Sequence, residues 1–174
     1  TTLTVGYSVP VASGVRGQAV SFLDGGEVTI SLFFDGSSDP KHSVTVFGGT
    51  KDSSGKYTVS YDIPDVDSGT YTVKVSKKNH VTREYSVTVS GDVKTLNAEI
   101  WLSGDVNADG IRDMTDVVQI CRMFNGKASV FDNGDSETKA YRLKVADIYT
   151  DNSIDTTDIN QILRYYSGKS STLG

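Results

Sequence analysis

From the N-terminus to about residue 103, apolar and polar side chains alternate with a period of two. Tyr57, Val59 and Tyr61 share one face of a predicted strand. So do Tyr71, Val73 and Val75, then Tyr85, Val87 and Val89, then Leu96, Ala98, Ile100 and Leu102. The intervening residues are mostly Thr, Ser, Lys, Glu and Arg, so each strand buries one face and wets the other, as antiparallel sheets do. Turn signals divide the runs: Asp24-Gly25-Gly26, Asp35-Gly36, Gly48-Gly49, Ser54-Gly55, Asp67-Ser68-Gly69 and Ser90-Gly91. Short strands at this spacing predict a β-sandwich of about seven or eight strands.

After Gly104 the period changes. Val117, Ile120, Cys121 and Phe124 recur at i, i+3, i+4 and i+7, which is one face of an α-helix, and Ile159, Ile162, Leu163 and Tyr166 repeat it. A third helical stretch, 136–145, precedes the second of these, with Asp135 or Ser136 placed to cap it. No Pro/Gly/Ser-rich linker separates the two halves, and a strand over 96–102 is expected to run nearly straight into the helical part. The predicted units are 1–103 and 104–174, in contact with each other. Trp101 points away from the Ile100/Leu102 face. It belongs either to that junction, which is the preferred reading, or to core on the other side of a twisted sheet.

The first and last of these predicted helices are each led by a ladder of oxygen-bearing side chains. Asp105, Asn107, Asp109, Asp113 and Asp116 occupy positions 1, 3, 5, 9 and 12 of a twelve-residue stretch, with Gly110 at position 6. Asp147, Asp151, Asp155 and Asp158 repeat the phase. Hard cations such as calcium take about six to eight oxygen ligands, and a loop of this spacing wraps them around one ion. The backbone carbonyls at position 7, Ile111 and Ser153, complete the expected ligand sets. Shifting 104–127 by 42 residues lays it on 146–169, with 10 of 24 columns identical. Neither loop–helix unit can bury its apolar face alone, so the two are expected to pack as a pseudo-twofold pair.

Composition sets bounds on partners and place. The chain has 174 residues and a formal net charge of −5, with no basic stripe to neutralise phosphates, which argues against nucleic acid. No apolar run is long enough to span a bilayer. The opening TTLTVGYSVP does not read as a signal peptide and suits a fragment or a mature segment. The single cysteine, Cys121, excludes an internal disulfide, and its repeat counterpart Leu163 marks it as a core position. Calcium is plentiful outside cells, so a module stapled by calcium fits an extracellular setting.

The segment 104–170 resembles a dockerin, on the motif Gly-Asp-Val-Asn-x-Asp-Gly, the tandem loop–helix plan and the lack of a helix before the first loop. The resemblance implies two bound calcium ions, no catalysis, and a tight contact with the cohesin domain of a scaffold or cell-surface protein. It implies an extracellular, cellulosome-like, polysaccharide-degrading complex on a bacterial surface, the chain itself being a monomer. Less specifically, SGTYTVKVSKKNHVTREYSVTVSGDVKTLNAEIWL resembles prealbumin-like or carboxypeptidase-regulatory-like sandwiches, which as X modules brace dockerins.

Three departures from the family pattern matter. Position 3 of the second loop is Tyr149, a poor calcium ligand, so the second site is expected to be the weaker. Position 6 there is Asn152, which tolerates a left-handed backbone. Position 8 of the first loop, usually apolar, is Arg112, which is expected to loosen pairing between the loops. The faces opposite the helical cores are the expected cohesin contacts: Met114, Thr115, Val118, Arg122 and Met123 on the first helix, and Thr156, Thr157, Asn160, Arg164 and Tyr165 on the second. Because the faces differ, one binding orientation is expected, dominated by Arg122 and Met123.

Other features carry little chemistry. His42 and His80 stand outside any motif, Glu84 and Glu99 are expected to face solvent, and nothing pairs a Lys with an Asn for an isopeptide bond. No nucleophile–base pair, catalytic carboxylate pair or phosphate loop occurs in 1–103. The alternative function is a carbohydrate-binding sandwich carrying a dockerin. Against it, Tyr57, Tyr61, Tyr71 and Tyr85 alternate with polar residues as core tyrosines do.

Overall fold

A computed structural model of the chain describes residues 13–171 and residue 173; the part of the strand-rich reading before Ser13 lies outside these residues. Nine strands build the N-terminal region: β1 (Gly14–Ser21), β2 (Val28–Phe34), β3 (His42–Val46), β4 (Thr50–Lys51), β5 (Tyr57–Pro64), β6 (Gly69–Ser76), β7 (Arg83–Val89), β8 (Val93–Thr95) and β9 (Ala98–Glu99). They form two sheets, one ordered β4-β5-β1-β8 with β9 also on β1, the other ordered β3-β2-β6-β7. The predicted alternation is visible in the burial. In β6, Tyr71, Val73 and Val75 are buried, while Thr70 and Thr72 are exposed. Ile30 and Leu32 from one sheet meet Val15, Ala19, Tyr61 and Ile63 from the other in one core. Glu84 is exposed and pairs with Lys74, whereas Glu99 is half-buried and pairs with Lys56, so the second glutamate does not simply face solvent.

Two expectations about the end of the sandwich are corrected. The run 96–102 is not one antiparallel strand. Only β9, Ala98–Glu99, lies within it, and β9 and the preceding β8 both pair parallel with β1. A parallel neighbour can only arrive after a crossover, and the chain supplies one, passing through the second sheet between β5 and β8. The period-two pattern reports which face is buried and carries no information about strand direction.

The helical region contains α1 (Met114–Phe124), α2 (Ser136–Ala146) and α3 (Thr156–Tyr166), with a single 3-10 turn at Val130–Asp132. Asp113 and Asp155 cap α1 and α3, each in a capping box closed by Asp116 and Asp158, and Asp135 caps α2. α1 and α3 face each other through buried Ile120 and Ile162, with Val145 and Ala146 of α2 in the same core. The buried arc differs from the predicted stripe. Phe124 and Tyr166, the last residues of their helices, are 51% and 58% exposed. Met123 is partly buried against the core and Tyr165 is half-buried. Met123 packs against the shared core and the Arg112 guanidinium lies over the Tyr165 ring, so the buried arc reaches positions 123 and 165.

The second core is shared between the two regions. Phe22, Trp101 and Leu102 are buried in it with Val106, Val117, Tyr141 and Ile148. Trp101 therefore lies at the junction. The Trp101 backbone N–H donates to the Tyr141 hydroxyl at 3.0 Å, and that hydroxyl donates to the Val81 carbonyl at 2.6 Å. His80, without evident role in the sequence, is a structural hub here. Its Nε2 accepts from the Phe22 N–H at 3.0 Å, and its Nδ1 faces the Lys78 carbonyl at 2.9 Å.

Burial pushes the His80 pKa down to about 4, with Lys77 and Arg112 facing it also disfavouring charge and Asp24 opposing them. The unfolded chain takes the proton first, so stability is complete above the ordinary value of 6.5 and is lost as pH falls toward 4. The loss amounts to roughly 3 kcal/mol. Thermal midpoints measured across this window should fall more steeply for the wild type than for His80→Gln; parallel curves would refute the assignment.

Candidate calcium loops and the helices behind them

The two loops have one backbone design. Ala108 and Thr150 at position 4 have φ of 61° and 56°, and Gly110 and Asn152 at position 6 have 83° and 64°. The left-handed turn at position 6 brings the backbone amide back onto the position-1 carboxylate. Gly110 N–H donates to Asp105 at 2.8 Å, and Asn152 N–H donates to Asp147 at 2.9 Å. The position-12 carboxylates are held in the same matching way. Asp116 Oδ1 accepts from Val106 and Asn107, and its Oδ2 from Asp113. Asp158 accepts from Ile148, Tyr149 and Asp155. Asp109 and Asp151 each accept from the amide two residues on, that of Ile111 or Ser153. Asp113 and Asp155 instead cap their helices through Thr115 and Thr157.

Burial makes the first loop the more demanding. Asp105 and Asp116 are fully buried, and Asp158 nearly so, whereas Asp147 is only half-buried. Burial, reinforced by the charge of Asp116, pushes the Asp105 carboxyl up to about 7. Burial likewise pushes Asp116 up to about 6. Both carboxyls therefore hold a proton more readily than an ordinary aspartate does. The donor set is oxygen only and rich in carboxylate, which suits a hard divalent cation. Among the described residues, no three His, Cys, Asp or Glu side chains already stand close enough to hold a metal. The Asn107 Nδ2 donates to Asp109 at 2.7 Å.

The second loop departs where the sequence departs. Tyr149 is 57% exposed, with its ring outside the loop. Tyr149→Asp is expected to raise calcium affinity at the second site by about tenfold, since affinity follows ligand charge count. Calorimetric titration reads this directly, and an unchanged second affinity would clear Tyr149 of blame.

The side chains expected to meet a partner divide on burial. Met114 and Val118 are 42% and 48% exposed, and Thr115, Arg122, Thr156, Thr157, Asn160 and Arg164 are also exposed. Met123 and Tyr165 are corrected to partly buried positions, drawn inward as described above. Arg122 also has an internal task, its Nε donating to the Ala128 carbonyl at 2.6 Å.

Two residues that bind this region together escaped sequence reasoning. Arg142 is buried and donates to the carbonyls of Val106, Val130 and Asn133, joining α2 to the first loop. Arg112, expected only to loosen loop pairing, reaches the sandwich. Its Nη2 donates to the Asn79 carbonyl at 2.7 Å, and its guanidinium lies 5.3 Å from the centroid of the Tyr165 ring. An arginine inside a duplicated motif where its counterpart is apolar was the available signal.

Residues 103–166 match the family model of the dockerin type I domain. Among curated protein sequences none matches the chain. Of solved structures, one that is similar is an N-terminal interface mutant of a type II cohesin–X-dockerin complex from Acetivibrio cellulolyticus. It shows 22% identity, covers 88% of this chain and 95% of that one, and has a TM-score of 0.35. The C-terminal interface mutant of the same type of complex shows 21% identity, covers 88% and 96%, and has a TM-score of 0.30. Residues 103–166, the stretch that matches the dockerin type I model, hold both loops and all three helices, and a β-sandwich precedes them.

Proposed function

We propose that this chain is a non-catalytic assembly module whose dockerin segment folds around two calcium ions and docks onto a cohesin in an extracellular, polysaccharide-degrading complex. The sandwich, taken as residues 1–103, braces the dockerin, taken as 104–174. The observation that carries the reading is the duplicated loop–helix unit within 103–166, whose two copies hold their position-1 and position-12 carboxylates by matching backbone hydrogen bonds. Asp105, Asn107, Asp109, the Ile111 carbonyl, Asp113 and Asp116 would hold the first ion. Asp147, Asp151, the Ser153 carbonyl, Asp155 and Asp158 would hold the second, with Tyr149 contributing no carboxylate. Calcium supplies positive charge at the centre of each loop. The residues of the chain orient the carboxylates through backbone amides and set the helices behind them.

An extracellular setting agrees with the calcium demand, and no helix among the described residues is long and apolar enough to cross a membrane. The carbohydrate-binding alternative gains nothing from the sandwich tyrosines. Tyr61 and Tyr71 are 4% and 1% exposed and are spent on core packing and on the Leu96 and Asp67 carbonyls.

The exposed apolar pair Met114 and Val118 on α1 supports a contact led by the first helix, since adaptable methionine surfaces and buried anchors dominate interfaces. Against a panel of cohesins in calcium, Met114→Ala with Val118→Ala should weaken binding by about tenfold or more. Asn160→Ala with Arg164→Ala should have a smaller effect. Equal losses from both helices would refute the single orientation, and binding that persists in chelator would refute calcium dependence.

A further inference from the structure

The sandwich touches the two loops unequally. Phe22, just beyond β1, is 1% exposed, and its ring lies against the position-6 glycine of the first loop so closely that a Cβ on Gly110 would overlap it. The ring is fixed from behind. Its backbone N–H is held by His80, and Lys56 Nζ sits 5.7 Å from the ring centroid. Two positions beyond Gly110, Arg112 donates to the Asn79 carbonyl. Asn79 lies in the turn between β6 and β7, with φ of 65°.

The second loop has neither contact. Asn152 at its position 6 is exposed, and Ile154 at its position 8 packs into the helical core. Among the described residues no hydrogen bond runs from 147–158 to the sandwich. An open cleft lined by His80, Val81, Thr82, Ile148 and Tyr149 separates them instead.

We infer that the sandwich is a built-in positioning element for the first calcium loop alone, with Phe22 and Arg112 coupling occupancy of that loop to docking of the two regions. Position 6 is where the loop must turn left-handed to lay its amide on Asp105. A ring packed on that turn stabilises the left-handed conformation the occupied loop needs, so docking of the sandwich and filling of the loop favour each other. Coupling is reciprocal, so calcium in the first loop tightens the junction by the same factor. The inference rests on the calcium reading above, and the test separates the two.

The 174-residue chain is titrated with calcium and followed by amide resonances, Gly110 reporting the first loop and Asn152 the second. In the wild type, the Phe22 and Asn79 amides should shift with the Gly110 midpoint and not with that of Asn152. Phe22→Ala should move the Gly110 midpoint to about tenfold higher calcium, within the usual range of coupling between sites, and leave Asn152 within about twofold. Arg112→Ala, which removes no sandwich core volume, should act in the same direction and decides the matter if Phe22→Ala loses the sandwich spectrum. Unchanged Gly110 midpoints, or equal shifts at both loops, would overturn the inference while leaving the calcium reading intact. A wild type in which neither amide titrates overturns both.

Discussion

Excess chelator is expected to unfold the helical region while the sandwich stays folded. The reason lies in the first loop, where Asp105 and Asp116 are buried together and their carboxyls are raised by burial, and further by the charge of Asp116 on Asp105 and of Asp109 on Asp116. At neutral pH the ion-free loop must either take up protons or keep buried, unpaired charge. A bound cation removes the conflict, and its binding energy becomes folding energy. With free calcium a thousandfold above the dissociation constant, each site contributes about 4 kcal/mol, a large share of a small domain's stability. The sandwich has its own core, from Val15 and Ile30 to Val89 and Ile100, which contains no residue of either loop. Far-ultraviolet circular dichroism should therefore lose helix and keep strand. Helical signal that survives in excess chelator would sink the expectation.

Trp101→Ala is expected to cost about 3–5 kcal/mol and to split one thermal transition into two. Trp101 is 5% exposed and is the pivot of the shared core. Its ring lies 5.2 Å from that of Tyr141, with the guanidinium groups of Arg142 and Arg83 at 5.0 and 5.8 Å. Removing it takes the aromatic surface from between two basic side chains and leaves a cavity between two units that can each close without the other. Calorimetry in saturating calcium should show a sandwich transition near its original temperature and an earlier one for the helices. A single transition at the wild-type temperature would show that Trp101 does not couple the regions.

These expectations show how far a sequence can be read. The loop–helix units were legible because a cation loop is a local object. Its ligands sit at fixed offsets, its turn needs a residue that tolerates positive φ, and its last carboxylate closes the capping box of the helix that follows. Asp113 with Asp116 and Asp155 with Asp158 do this within a few residues of each other. Strand faces were legible for the same reason, since alternation is written residue by residue. Strand direction was not, because β8 and β9 pair with a strand some 80 residues earlier, Gly14 with Val93 and Ala19 with Ala98.

The helix faces show where local reasoning stops. Periodicity placed Ile120 and Ile162 correctly in the core, yet put Phe124 and Tyr166 there and left Met123 and Tyr165 out. A stripe of apolar residues says which side of a helix is covered and cannot say how wide the cover is or where it ends. That depends on groups brought from elsewhere, such as the Arg112 guanidinium over the Tyr165 ring, which no periodicity announces.

By itself, then, the sequence determined the two grammars of the chain, the duplicated loops, the inequality introduced by Tyr149, and the core lines of α1 and α3. All of these are set by spacings within a few residues. Only the tertiary structure decided that Trp101 and Phe22 lie in the helical region's core, that His80 holds Phe22, and that Arg112 crosses to Asn79. Each of these joins residues far apart in the chain, and no periodicity encodes such a contact. It exists because the β1 end, the β6–β7 turn and the first loop are brought to one place when both cores close.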